Sequence, residues 1–239
     1  MFGVFCTLGS AFAVEFVATE GPDFVVIDCQ HGLAGQTEMA ASLQALAGYP
    51  VVPFVRVPAG DDAAIERALD AGAFGVIVPG VESGQRARDV AARCAYPPSG
   101  VRSFGPVRSE LVMGLKPSSV NERVLCIVMI ESRAGLEARE EICSVQGVSG
   151  VYVGPADLAI SLGLDPTVDV APGLHADAVA SILTCAQNHG LITGIHAGTG
   201  AQASARSDEG FSLVTISGDA SLLRWAVRKS LKDARAPRK

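Results

Sequence analysis

Gly147-Val148-Ser149-Gly150-Val151-Tyr152-Val153-Gly154-Pro155-Ala156-Asp157-Leu158-Ala159-Ile160-Ser161-Leu162-Gly163 is the stretch that decides the fold. Its apolar run Val151-Tyr152-Val153 is short and β-branched at both ends, and Gly154-Pro155 stops it. Asp157 follows where a loop can turn a carboxylate inward. Taken alone, Asp157 reads equally well as the cap of a helix beginning at Leu158. What separates the two readings is that the same pattern recurs along the chain.

Residues 2–8 read as a first strand and 10–19 as its helix, capped by Ser10 and stopped by Gly21-Pro22. Residues 24–28, Phe-Val-Val-Ile-Asp, are almost continuously apolar, as strands buried on both faces of a parallel sheet are. A helix over 36–46 follows. The cycle continues with a strand over 51–57, a helix over 61–71, a strand over 75–78 and a helix over 83–94 capped by Ser83. Residues 96–123 break the rhythm and predict a long functional loop carrying a short helical piece. Then come a strand over 124–130, a helix over 134–143, the strand over 151–153 and a short helix to Leu162. A Pro-bearing loop over 164–172 leads to a helix over 176–189, and strand 192–196, helix 200–208, strand 211–217 and helix 220–232 finish the chain.

Eight strand and helix alternations predict an α/β fold, a closed (β/α)8 TIM barrel formed as one domain over residues 1–239. The 239 residues match the ~250 such a barrel usually takes. A doubly wound open sheet is the alternative, but it has fewer strands, and no G-x-G-x-x-G follows the first strand.

Composition narrows the function. Hydrophobic residues make up 49%, enough for a large core, and only 236–239 look like a disordered tail. A formal charge of -6 argues against nucleic acid, which calls for a basic stripe. Lys and Arg are absent before Arg56. Cys6, Cys29, Cys94, Cys126, Cys143 and Cys185 show no C-x-x-C and no H-x-x-x-H partner, so neither a zinc finger nor a disulfide framework is indicated; reduced thiols in a cytoplasm are the simpler account. Residues 1–18 imitate a signal peptide but lack a basic start and carry Glu15, and no run reaches the ~20 apolar residues of a membrane span.

In a barrel of this kind the active site lies at the C-terminal ends of the strands. Strand two ends in Asp28-Cys29-Gln30-His31-Gly32, strand three in Arg56, strand five in Glu131, and strand six in the turn bearing Asp157; Asp70 closes the third helix. Each has a bland reading as a surface histidine, an ordinary ion pair or a cap, yet together they share one rim. Glu131 and Asp157 offer hard oxygens from adjacent strands, with no Cys or His beside them, a set that suits Mg²⁺ or Mn²⁺, with Co²⁺ as a further candidate. Arg56 would hold a carboxylate or a developing enolate. His31 is the natural proton carrier, with Asp28 or Asp70 fixing its tautomer. A lysine Schiff base is disfavoured, because Lys116, Lys229, Lys232 and Lys239 all fall outside the strands.

These residues make the sequence resemble the HpcH/HpaI aldolases, metal-dependent pyruvate aldolases of the phosphoenolpyruvate/pyruvate barrel superfamily. The resemblance runs from Gly9-Ser10 through Asp28-x-x-His31-Gly32, Val55-Arg56-Val57-Pro58, Val78-Pro79 with Glu82, Tyr96-Pro97-Pro98-x-Gly100-x-Arg102, Ile130-Glu131 and Gly154-Pro155-Ala156-Asp157-Leu158 to Leu162-Gly163. It implies Glu131 and Asp157 as metal ligands, Arg56 on pyruvate's oxygens, and His31 as base supported by Asp70 and Asp28. It also implies a pyruvate carboxylate held by the turn Gly154, Pro155, Ala156 and Asp157, and a homohexamer in which barrel-closing helices pack on neighbours. Gln30 and Met129 depart from the Glu and Gln that many relatives carry, and the chain starts almost in its first strand, without the helix that often precedes it.

The implied reaction is reversible cleavage of a 4-hydroxy-2-oxo acid, of the 4-hydroxy-2-oxoheptanedioate or 2-dehydro-3-deoxy sugar acid type, to pyruvate and an aldehyde. The acceptor aldehyde is expected to meet the 96–123 loop, His196 and its neighbours, and an adjoining subunit. Rival readings are an acyl-CoA lyase resembling the citrate lyase β chain, which would want a basic entrance for its nucleotide, and a binding barrel that has lost activity. A phosphonomutase is disfavoured by the lack of a K-K-C-G-H segment.

Overall fold

The computed structural model describes residues 1–170 and 172–236. Eight parallel strands close into a barrel in chain order. They are β1 (Phe2–Cys6), β2 (Phe24–Asp28), β3 (Val52–Arg56), β4 (Gly75–Val78), β5 (Leu125–Ile130), β6 (Gly150–Val153), β7 (Ile192–His196) and β8 (Leu213–Gly218). Between the first five strands lie α1 (Ala11–Thr19), α2 (Gln36–Ala45), α3 (Asp62–Asp70), α4 (Gly84–Cys94), α5 (Ser109–Met113) and α6 (Pro117–Arg123). The second half adds α7 (Arg133–Glu137), α8 (Arg139–Cys143), α9 (Pro155–Ser161), α10 (Leu174–Asn188), α11 (Gly200–Asp208) and α12 (Asp219–Ala234).

The strands are hydrophobic on both sides because they are buried on both sides. Side chains alternate along each strand, so Phe24 and Val26 of β2, Phe54 of β3, Ile127 and Met129 of β5 and Tyr152 of β6 fill the barrel, while Val25, Val55, Val128 and Val151 face the helices. The caps expected at Ser10 and Ser83 form, accepting from the amides of Ala13 and Arg86.

Three expectations are corrected. The helix after β6 begins at Pro155, not Leu158: Pro is pre-organised for a first helical position, Gly154 is the cap residue, and Asp157 sits inside the first turn without capping anything. The helix expected over 134–143 divides at Ala138, whose ψ of 6° interrupts the spiral. The segment over 96–123 carries two short helices and lies at the strands' N-terminal mouth, because it connects the end of α4 to the start of β5. There Arg102 and Arg108 hold it to the end of α3. Of the expected tail, residues 237–239 lie outside the described residues, as does Ala171 of the 164–172 loop. Among the described residues no helix is long and apolar enough to cross a membrane.

Candidate active site

The period of two that fills the barrel also delivers its polar rim. Continuing the inward-facing sequence Phe24, Val26 along β2 gives Asp28, and Phe54 on β3 is followed by Arg56. Ile127 and Met129 on β5 are followed by Glu131, and β7 ends in His196. One cavity of about 310 Å³ opens at this mouth, lined by Asp28, His31, Arg56, Met129, the 154–157 turn and His196 among others.

Asp28 and Arg56 are direct neighbours in the β2–β3 register. The guanidinium donates from Nε to Asp28 Oδ1 at 2.8 Å and from Nη2 to Oδ2 at 2.7 Å. Burial would push this fully enclosed carboxyl up, but Arg56 and the amides of Gln30 and His31 outweigh it and hold Asp28 below its usual value. Arg56 Nη1 has no hydrogen-bond partner among the described residues and is the donor left for a ligand. Its guanidinium also lies 4.8 Å over the Phe5 ring, which walls the same cavity.

Glu131 emerges beside Gly154, because Ile130 pairs with Val153 immediately before them. Its Oε1 accepts from the Gly80 amide at 3.0 Å, while Oε2 is buried without a partner. A Cβ on Gly154 would stand 2.5 Å from that Oε2, so only glycine lets the carboxylate lie there. Burial first, and the negative charge of Asp157 in addition, raise the Glu131 carboxyl above its usual value. A partnerless buried carboxylate oxygen within the electrostatic reach of a second carboxylate is an arrangement that a cation resolves. The donor set, all oxygen, fits a hard divalent ion.

His31 lines the cavity from an exposed turn. That turn is tight: the next residue, Gly32, presses on the Asp28 carbonyl and lies close to that of Thr7, leaving no room for a side chain. Asp28 accepts from the backbone amide of His31 at 3.4 Å, not from its ring, so the orientation of His31 is set through the main chain.

His196 is the second histidine of the cavity. Burial, and Arg56 nearby, push it down to about 4, so it is neutral at ordinary pH. Its Nδ1 shares a 2.9 Å hydrogen bond with Thr215, whose hydroxyl meets that of Tyr152 at 2.8 Å. Thr7, Gly218 and Ser221 also line the site. Buried Asp219 ties β1 to β8 and α12 by accepting from the Thr7 amide and hydroxyl, both at 2.8 Å. The sequence offered no motif for Thr7, Thr215 or Asp219; the one available signal was a polar residue just past an apolar run at the ends of β1 and β8.

Asp70 is not brought to this site. It ends α3 at the opposite mouth, one strand length away, where Arg102 binds it at 2.7 Å. Within one protomer it cannot orient His31. The 96–123 segment lies at that same far mouth and lines no part of this cavity, so the expected contact with an aldehyde is not made by the chain to itself. A larger hollow of about 830 Å³ lies there too, among α4, α6, the start of β5 and part of that segment, and shares no lining residue with the active cavity. Lys116, Lys229 and Lys232 are all outside the active cavity, and Lys239 lies outside the described residues.

The chain is similar to the hydroxypyruvate/pyruvate aldolase of Rhizorhabdus wittichii, with 39% identity over 223 residues covering 93% of this chain and 89% of that one. It is 32% identical to the 5-keto-4-deoxy-D-glucarate aldolase of Klebsiella pneumoniae subsp. pneumoniae over 238 residues, 97% of this chain and 91% of the other. Among solved structures, an HpcH/HpaI aldolase/citrate lyase family protein from Burkholderia cenocepacia J2315 superposes with a TM-score of 0.89 at 32% identity, covering 99% and 95% of the two chains. The family model described as HpcH/HpaI aldolase/citrate lyase matches residues 1–224. The chain belongs to this family and is an aldolase-type lyase.

Proposed function

We propose that the protein is a class II aldolase that reversibly cleaves a 4-hydroxy-2-oxo acid to a pyruvate-type 2-oxo acid and an aldehyde. The observation that carries this reading is the unpartnered buried Oε2 of Glu131, set against Gly154 and beside Asp157. Glu131 and Asp157 would hold a divalent cation, Mg²⁺ or Mn²⁺. Such an ion would supply positive charge beside the 2-oxo oxygen, where the enolate's charge develops.

The protein's own groups do the rest. Arg56 Nη1, held in place by the two bonds to Asp28, donates to the substrate oxygen that becomes negative. The amides of Ala156 and Asp157, which have no partner inside α9, hold the carboxylate. His31 takes the C4 hydroxyl proton; the C3–C4 bond breaks, its electron pair forms the enolate, and protonation at C3 yields the 2-oxo acid. His196, neutral and fixed by Thr215, faces the aldehyde half. Hydroxypyruvate and pyruvate, named for the R. wittichii relative, are the donors to try first. An acyl-CoA substrate is less favoured, because the one cationic side chain lining the cavity, Arg56, is already paired.

We also propose a homo-oligomer, with the hexamer of the family resemblance as the expected state. From Ser221 onward α12 is exposed, presenting Leu222, Leu223, Trp225, Val227 and Leu231 to solvent, a face that a second copy would cover. Asp70 and the 96–123 segment could then serve a neighbour's site.

The test is pyruvate release from a panel of 4-hydroxy-2-oxo acids with Mg²⁺, Mn²⁺ or Co²⁺. Arg56→Ala and His31→Ala should each lower turnover by ~10²- to 10³-fold with the fold intact. Near-normal turnover by either variant would sink the assignment.

A further inference from the structure

At the barrel floor, far from the active cavity, the chain gathers a second set of ligand atoms. Glu140 and Cys143 lie three apart on α8; Cys185 and His189 lie four apart at the end of α10, and both spacings put the two residues on one helical face. One ligand atom each from Glu140, Cys185 and His189 lies within 4.8 Å of the others. His189 Nε2 stands 3.2 Å from Glu140 Oε2. One sulfur, one imidazole nitrogen and one carboxylate oxygen therefore face a common point, and the Cys143 thiol lies outside that group.

We propose that Glu140, Cys185 and His189 form a zinc-type metal site, its fourth position open to water, that staples α8 to α10. The edges of a tetrahedron around Zn²⁺ are roughly 3.3–3.8 Å for ligand bonds of about 2.0–2.3 Å, and the 3.2 Å between Glu140 and His189 is already near that length. The Cys185 thiol and the His189 imidazole select a borderline-soft ion over Mg²⁺ or Mn²⁺, which sets this site apart from the all-oxygen pair at the other mouth. The sulfur is buried while Glu140 and His189 reach solvent, so an ion can enter from outside and meet its thiolate last. Each thiol that binds gives up its proton.

The nearby charges allow a dication. Arg139 lies beside the cluster, but its guanidinium donates back to the Leu136 carbonyl at 2.9 Å, and Asp177 shares the same concavity. The two helices lead directly into β6 and β7, whose far ends carry the 154–157 turn and His196. A staple at their feet would fix the strands without touching substrate. The site stands independently of the proposed aldolase chemistry.

The experiment uses reduced, full-length protein in excess Mg²⁺, which fills the oxygen site, titrated anaerobically with Co²⁺. A near-ultraviolet thiolate-to-cobalt charge-transfer band with the visible bands of tetrahedral Co²⁺ is expected, saturating at a single equivalent and bleached by Zn²⁺. Glu131→Gln should leave the band unchanged. Cys185→Ser should abolish it, and His189→Gln, which keeps the thiol, should weaken cobalt binding at least tenfold. Circular dichroism confirms that each variant is folded. Absence of the band in wild-type protein, its survival in Cys185→Ser, or unaltered affinity in His189→Gln would overturn the proposal.

Discussion

Gly154→Ala isolates the proposed metal-binding role of Glu131 from the fold. The backbone at Gly154 has φ −94°, which alanine accepts, so the change adds only a methyl group. That methyl would stand 2.5 Å from Glu131 Oε2, 3.0 Å from Glu131 Cβ and 3.1 Å from Met129 Cε. The severest clash is with the far end of a side chain that can swing away. We therefore expect a stability loss of about 1–3 kcal/mol, a fall of roughly 2–12 °C in Tm for a chain of this size. The displaced oxygen is the one proposed to hold the cation, so the functional loss should be much larger, ~10²- to 10³-fold in turnover at a fixed metal concentration. Metal affinity by calorimetry, Tm and kcat/KM are measured for Gly154→Ala, Glu131→Gln and the double variant. Because the two residues act through one contact, the double variant should be scarcely slower than Glu131→Gln alone. Full additivity of the two losses, or wild-type metal affinity in Gly154→Ala, would disprove that shared contact.

Asp28→Asn should destabilise the protein by about 3–5 kcal/mol in urea unfolding, because it leaves the Arg56 charge in a largely enclosed place without its partner. Since folding lowers the Asp28 carboxyl from 3.8, its contribution is present in full above that value and is lost as the pH falls through the lower folded value. The acid limb of a stability profile should accordingly flatten in Asp28→Asn. For Glu131 the sign is opposite: folding raises its carboxyl, so below the raised value the cation must displace a proton. Metal affinity should rise with pH through that range in wild type and stay flat in Glu131→Gln, as calorimetry at several pH values will show. His196→Leu should alter the ratio of kcat/KM between short and long aldehydes while leaving metal affinity unchanged. Leu223→Asp with Trp225→Asp should yield a smaller species by analytical ultracentrifugation with circular dichroism preserved; an unaltered mass would exclude α12 from the interface.

What could be read from the sequence, and what could not, divides along a physical line. Strands such as residues 24–28 and 75–78 are delimited to the residue, because burial on both faces makes them nearly continuous apolar runs between Gly, Pro and capping residues. The rim residues Asp28, Arg56 and Glu131 were legible for the same reason: each is the first polar residue in phase with an inward-facing strand pattern. The place of Asp70 was not legible, because spacing along a helix does not say which mouth of a barrel the helix end reaches. The connection 96–123 looked like an active-site loop by its length, yet its place between a helix and the next strand already consigned it to the floor. The Glu140, Cys185 and His189 cluster was invisible because its halves lie on helices separated by a strand, the helix α9 and a loop.

Charge explains why the active cavity should be filled in a fixed order. Asp28 cancels Arg56, leaving the carboxylates of Glu131 and Asp157 as two uncompensated negative charges at a mouth meant for an anion. At 4 Å and an effective dielectric of about 20, each like-charge contact costs a 2-oxo acid roughly 4 kcal/mol, or close to a thousandfold in affinity. One bound dication removes that penalty and supplies the chelating partner. Pyruvate or oxalate should therefore bind undetectably to metal-free protein and tightly once Mn²⁺ is added, with the ligand strengthening metal binding by the same factor. Equal oxalate affinity with and without metal in calorimetry would mean that Arg56 and the backbone amides alone hold the acid, and Glu131 and Asp157 would lose their role as the ligands of an essential cation.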